Sequence, residues 1–423
     1  MHSSIKNYSR FLKIFSVVVL SQLTVVFTIN LLVDPYKIYR IINIEYFNQE
    51  KPLIEKQGMR KVKSIDIEQG NYEILLLGTS RVQNGLNPRS QVFGSKKPYN
   101  AGLPSAGIYE LHQIIDFART RKNSRLKTVI LGLDFFSFNK KITVSGDFKE
   151  SRFANKNVFI ASIPDLLSLE ILQSSIDTLK FNYRGNKANY YDDLGTRNRE
   201  LPSLKHRKLF RKILSQNMIY QSLYAGFELS DERLKDFNNL IEYCYKHNIE
   251  LYLFISPVHA KQLETIRLMG LNPQFEDWKR DLVRIIAEQS RKNQDKPPIN
   301  LWDFSGYNTI TMEIVPPLDS ENQMKYFIDS SHYKKIVGEK ILVKILNLPK
   351  DDEDEYPQDF GVLINQDNIE THLTKIRNDA KIYQKNFPEE IAGIKQLIKE
   401  TEEKRLSNLK RFNNQVENEN IEI

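Results

Sequence analysis

Four short apolar runs punctuate this sequence: EILLL at 73–77, TVILGL at 128–133, ELYLFIS at 250–256 and INLWDF at 299–304. Runs this short and this apolar suit strands covered on both faces, as in parallel sheets. Between them, residues 108–119, 163–179, 205–229 and 232–247 carry apolar side chains at three-to-four spacing and read as helices. In the last of these Leu234, Phe237, Leu240, Ile241 and Cys244 fall on one face. Strand alternating with helix predicts an α/β fold around a mainly parallel sheet, occupying 72–348.

The rest of the chain is appended to that core. Residues 14–33 hold no charge, and their length matches a helix crossing a hydrocarbon layer. Lys6, Arg10 and Lys13 precede the run, which by the positive-inside rule keeps the N-terminus in the cytoplasm and sends everything after Asp34 outside. Lys37 and Arg40 follow it and weaken that asymmetry. No small-x-small cleavage signal intervenes before Asp34 and Pro35, so an uncleaved anchor over 1–36 is expected rather than a removed signal peptide. Residues 37–71 then read as a polar, basic connector. Residues 136–231 have little strand character and predict a helical insertion over one edge of the sheet. Past 348 the run DDEDEYPQDF reads as an acidic linker, and the charged remainder to 423 as a helical extension with a helix start at Pro388. The net charge of +8 is scattered among acids and matches no nucleic-acid module, so no nucleic-acid partner is expected.

In ILLLGTSRVQNG, Ser80 stands just past the carboxyl end of the first strand, where open α/β sheets bind ligands. Gly-Thr-Ser is also ordinary turn chemistry. In KYFIDSSHYKK, Asp329 and His332 are three residues apart ahead of a helix over 334–345, close enough for the carboxylate to orient the imidazole. A serine hydroxyl needs such a base within hydrogen-bond reach before it can act as a nucleophile. Without the serine, the pair reads as a polar helix start with the acid near its N-cap. Arg81 beside the serine and His259 in ISPVHAK are candidates for substrate contact, and Ser105 for an N-cap. The histidines lack metal-ligand spacing, and no phosphate-cradling or dinucleotide glycine motif is present, so neither a metal nor a cofactor is expected.

Together these blocks resemble the SGNH (GDSL-like) hydrolases: Gly78-Thr79-Ser80 after a first strand, Gly102 in YNAGLPSAG, and Asp329-x-x-His332 near the end of the domain. The anchor and VDPYKIY are similar to the membrane-tethered branch that includes alginate O-acetyltransferase-like and D-alanine transfer proteins. The resemblance implies a three-layer α/β/α, flavodoxin-like domain. It also implies Ser80 as nucleophile, His332 as base, Asp329 as its partner, and the amides of Ser80 and Gly102 as oxyanion donors. One block departs from the pattern: LGLDFF places Asp134 where the family carries an asparagine that donates to the oxyanion. An ionised carboxylate cannot donate, so Asp134 is protonated, or turns elsewhere toward a substrate amine or hydroxyl, or the branch works with two backbone donors. The implied activity is that of an anchored, extracytoplasmic esterase or acyltransferase. Its substrate would be an acyl ester, its acceptor an envelope polysaccharide or lipid, with a membrane partner as a possible acyl donor. The alternative is a non-catalytic binding or assembly module that kept the fold.

Overall fold

The computed structural model of the chain describes residues 2–54, 58–154, 163–188, 192–197, 206–220, 223–318, 320, 322–349 and 356–421. The chain divides into two compact units, Met1–Gly70 with Ser145–Asp192, and Asn71–Val144 with Asp193–Ile423.

The first unit begins with the helix His2–Val33, long and apolar enough over Asn7–Val33 to cross a membrane. The segment after it opens on an ordered turn. Asp34, Lys37 and Arg40 take left-handed φ values of 46°, 56° and 56°. The Asp34 carboxylate accepts the amides of Ile38, Tyr39 and Arg40 at 2.7, 2.9 and 2.8 Å. Those bonds satisfy three backbone donors that the turn takes out of any regular ladder. The helix Met59–Gly70 lies in the same unit. So does the helix Leu169–Tyr183, whose N-cap Ser168 accepts from Glu170 and Ile171 and interrupts the helix expected over 163–179. The insertion expected over a sheet edge is therefore split, with 145–192 grouping with the N-terminal segment.

The second unit is an α/β sheet of β1 (Ile74–Leu77), β2 (Pro98–Asn100), β3 (Thr128–Leu133), β4 (Glu250–Ile255), β5 (Leu301–Asp303) and β6 (Val362–Ile364). Their order is β2-β1-β3-β4-β5-β6, and all neighbours pair in parallel except β5 with β6. The central strands β1 and β3 are buried along their whole length, as their unbroken apolar sequences require. Leu76, Ile130, Phe254, Phe304 and Ile341 share one buried cluster with Val82, Leu86 and Tyr333.

The chain returns to the sheet after residue 348, where the sequence reads only linker and helices, because β6 supplies an antiparallel edge strand. The helix Ile369–Asn386 is tied to that region through His372, whose Nε2 lies 2.8 Å from Asp303 at the end of β5. Asp303 is also held by Lys279 at 2.6 Å, with both side chains fully buried. The long helix Pro388–Ile421 begins at the expected proline, and its Glu390 pairs with Lys261 and Arg207. In place of one helix over 205–229, His206–Lys212 is α-helical and Ile213–Tyr220 continues as a wider π-type turn. The N-cap before the helix Ile108–Arg119 is Gly107, while Ser105 takes a left-handed φ of 52° and makes no cap.

Candidate active site

The candidate site is assembled at the carboxyl end of β1. The strand ends at Leu77, and Gly78 turns the chain under crowding that excludes a side chain: a Cβ there would stand 2.5 Å from Val82 Cγ2 and 2.9 Å from the Gly132 carbonyl. Thr79 caps the helix Ser80–Gly85, and its hydroxyl accepts from the Arg81 amide at 3.3 Å. Ser80 is thus the first helical residue, half-buried, with its amide among those that have no intrahelical acceptor. Asn84 donates to the Ser80 carbonyl at 2.5 Å and fixes that first turn.

His332 reaches this serine across 252 residues of chain. The Ser80 hydroxyl and His332 Nε2 are 2.9 Å apart. On the other side of the ring, Nδ1 lies 2.9 Å from both Asp329 carboxylate oxygens. Asp329 is fully buried and also accepts the amides of Ser331 and His332 at 2.8 and 3.0 Å. Burial opposes its charge, but the facing imidazole and these donors outweigh burial and hold the carboxyl below the usual carboxylate range. The acid therefore stays ionised at neutral pH, which favours the tautomer with a proton on Nδ1 and a free lone pair on Nε2. In that state the ring can take the Ser80 proton.

Arg81 and Asp134, expected as substrate contacts, are only 3% and 1% exposed and are spent on each other. Arg81 Nη1 pairs with Asp134 Oδ1, Thr79 donates to Asp134 Oδ2 at 2.5 Å, and Arg81 Nε donates to the Ser331 carbonyl and hydroxyl at 3.1 and 3.2 Å. The guanidinium also lies over the Phe136 ring, 5.3 Å from its centre. Desolvation works against the Arg81 charge, yet Asp134 together with Tyr224 more than offsets it and raises its pKa. Both Asp134 carboxylate oxygens are engaged within the protein. The side chain joins the end of β3, the serine turn and the loop carrying His332.

His259, also expected to contact substrate, is 1% exposed. Its Nε2 donates to the Glu313 carbonyl at 2.6 Å and its Nδ1 caps the helix Ala260–Leu268 by accepting the Lys261 amide at 3.1 Å. Burial pushes its pKa down to about 4, so at neutral pH it is an uncharged cap. The Gly102 amide, expected at an oxyanion, donates to Asn100 Oδ1 at 3.0 Å, while Asn100 Nδ2 donates to the Val82 and Leu86 carbonyls. Ser331 and Thr79 complete the network and escape sequence reasoning. Their only signal is adjacency to His332 and Ser80. Among the described residues no group of three or more His, Cys, Asp or Glu is placed to hold a metal ion.

No family model matches the chain, and no curated protein does. Among solved structures it is similar to one named for a putative platelet activating factor from Streptococcus pneumonia. That likeness has 13% identity and a TM-score of 0.32, and covers 70% of this chain and 92% of the other. A likeness that weak carries no argument about function.

Proposed function

We propose that this chain is a membrane-anchored serine esterase or acyltransferase of SGNH type, with its catalytic unit outside the cytoplasm. One observation carries the reading: a single imidazole bridges the Ser80 hydroxyl and the Asp329 carboxylate, with all three contacts at 2.9 Å. The strand order β2-β1-β3-β4-β5, with Ser80 directly after β1 and the histidine loop after β5, supports a three-layer domain of that type.

In the proposed reaction Ser80 Oγ attacks the acyl carbonyl of an ester while His332 Nε2 takes the hydroxyl proton. Asp329 holds the ring and balances the imidazolium. Collapse of the tetrahedral intermediate breaks the ester C–O bond, and His332 returns the proton to the departing alkoxide, leaving an acyl-serine. A second hydroxyl then repeats the sequence in reverse. Water gives hydrolysis, and a polysaccharide or lipid hydroxyl gives transfer. The oxyanion falls to the Ser80 amide, joined by that of Gly102 when the Asn100 side chain yields it.

A non-catalytic binding module remains the competing reading, and the Asn100 side chain that occupies the Gly102 amide is what favours it. Covalent labelling with a fluorophosphonate separates the two. The wild-type chain is expected to take the label and Ser80→Ala to refuse it, whereas an unlabelled wild type would favour the binding module. Giving the reactive chain a model acyl ester, with and without a polyol, then sorts transfer from hydrolysis.

A further inference from the structure

The helix Leu169–Tyr183 turns its polar side inward. Its buried positions are Ser174, Ser175, Thr178 and Asn182. Leu169 and Tyr183 are 73% and 83% exposed, and Leu172, Ile176 and Leu179 are half-buried. Those five apolar residues recur at steps of three and four, so they form one stripe. Glu170, Gln173, Asp177 and Lys180 form a separate exposed stripe. A helix on a water-soluble body puts its apolar stripe inward; here hydroxyls and an amide take that place.

Three of these four inward groups are matched to the end of the anchor helix and the segment after it. Ser175 donates to Asn30 Oδ1 at 2.9 Å, and Asn30 Nδ2 donates to the carbonyls of Leu166 and Ser168 at 2.9 and 3.2 Å. Ser174 and Tyr36 share a hydrogen bond of 3.1 Å, and Asn182 exchanges two of 2.8 Å with the Glu50 backbone. Asn30 itself is fully buried one turn from the end of its helix, whereas large apolar side chains from Tyr8 to Val25 are exposed. That bare stretch rises ~27 Å at 1.5 Å per residue, close to the ~30 Å of a hydrocarbon core. Asn30 then lies a few ångströms beyond, at headgroup depth. A second exposed apolar group is tied to the same end of the helix. Ile41, Ile44 and Tyr46 are 55%, 51% and 62% exposed on the segment that Asn48 joins to the Leu32 carbonyl at 2.7 Å.

We propose that the unit formed by 1–70 and 145–192 rests on the bilayer surface, the stripe Leu169, Leu172, Ile176, Leu179 and Tyr183 facing the boundary between headgroups and acyl chains. The inference builds on the membrane-anchor reading of the first helix. The occupant is lipid rather than a second copy, because the stripe starts beside the point where the bare anchor ends. Amphipathic helices of this kind bind in proportion to the apolar area they sink.

Nitroxide labels on single cysteines test it in the full-length chain reconstituted into phosphatidylcholine–phosphatidylglycerol vesicles, in a Cys244→Ser background. Labels at Leu169→Cys, Leu172→Cys and Ile176→Cys are expected to collide with oxygen several-fold more often than with a water-soluble nickel complex, and labels at Gln173→Cys and Asp177→Cys to show the reverse. The contrast lies within one helix, so loss of its fold would erase the periodicity instead of imitating it. Aqueous accessibility at all five positions, with a Val18→Cys label immersed, overturns the surface contact and leaves the anchor intact. An aqueous Val18→Cys label overturns the anchor itself. Short label-to-label distances between copies at Leu172→Cys, without oxygen access, overturn the proposal in favour of a dimer.

Discussion

Replacing Asp134 by Asn asks whether the carboxylate frames the site or touches the substrate. In the frame reading, Asp134→Asn leaves the Arg81 guanidinium, 3% exposed, facing only the Ser331 carbonyl and hydroxyl and neutral neighbours. Breaking one partner of a buried pair costs about 3–5 kcal/mol. Against a total stability of ~5–15 kcal/mol that is a large loss. At ~2 °C per kcal/mol for a domain of this size, the melting temperature should fall by ~6–10 °C. Replacing both partners with apolar residues in Arg81→Met with Asp134→Leu should cost less than either single change, because no charge is left stranded, so the double-mutant cycle should show coupling of at least ~3 kcal/mol. Calorimetry on the wild type, Asp134→Asn, Arg81→Met, Asp134→Leu and the double variant, with ester hydrolysis measured in parallel, decides the matter. An Asp134→Asn protein that melts with the wild type but has a raised KM would place the carboxylate on the substrate and refute the frame.

Three further outcomes rest on the same geometry. Asp329→Asn should retain the fold but lose roughly 10⁴-fold in turnover, the scale known for a serine-protease aspartate; in the wild type the stability from this depressed carboxyl should be full above an unfolded pKa of ~3.9 and fade as pH falls below it. His259 has a folded pKa lowered to about 4, so the unfolded chain binds the extra proton between about pH 6.5 and 4, and stability should drop across that window by on the order of 3 kcal/mol. In urea titrations His259→Asn, which keeps a capping side chain, should flatten that slope relative to the wild type, and an unchanged slope would show that the ring is not buried neutral. Cys244 is fully buried and its thiol is pushed up to about 12 by burial, so it should ignore iodoacetamide at pH 8 until denaturant is added, as mass spectrometry would register.

The meeting of Ser80, His332 and Asp329 is legible in the sequence from local spacing: a serine at a strand end, and an acid and histidine three apart. The same rule offers Arg81, Asp134 and His259 for substrate contact, and the structure buries all three among protein partners. Polar residues at the carboxyl ends of strands serve substrates or brace the turn, and position does not separate the two. Flanking residues do better. Asp134 sits between LGL and two phenylalanines, each 3% exposed, which marks a buried carboxylate that needs a buried cation. The sheet's central strands are legible from their apolar runs, whereas β6, three residues of edge strand, has too little pattern to stand out. The partition into two units is hidden for another reason. It depends on contacts such as Ser175 with Asn30, 145 residues apart, made by polar side chains that a periodicity argument assigns to solvent.

What holds Ser80 and His332 at 2.9 Å is not the hydrogen bond between them. A bond of that kind contributes only about 1 kcal/mol net, while ordering even one residue's backbone costs about as much. The distance is imposed from outside. Arg81 binds the carbonyl of Ser331, one residue before the histidine. The next residue, Tyr333, lies so close to Gly85 that a Cβ there would stand 1.9 Å from its ring. Beyond it, the helix Lys335–Ile345 crosses the serine helix at Gly338, where a Cβ would meet the Gly85 carbonyl at 1.9 Å. These contacts seat the loop on the serine helix at three successive points, and each is buried. Stability and chemistry should therefore separate cleanly by residue. Ser80→Ala should leave the fold untouched and remove acyl chemistry, whereas Gly338→Ala, with no reacting atom involved, should push the two helices apart and lower both.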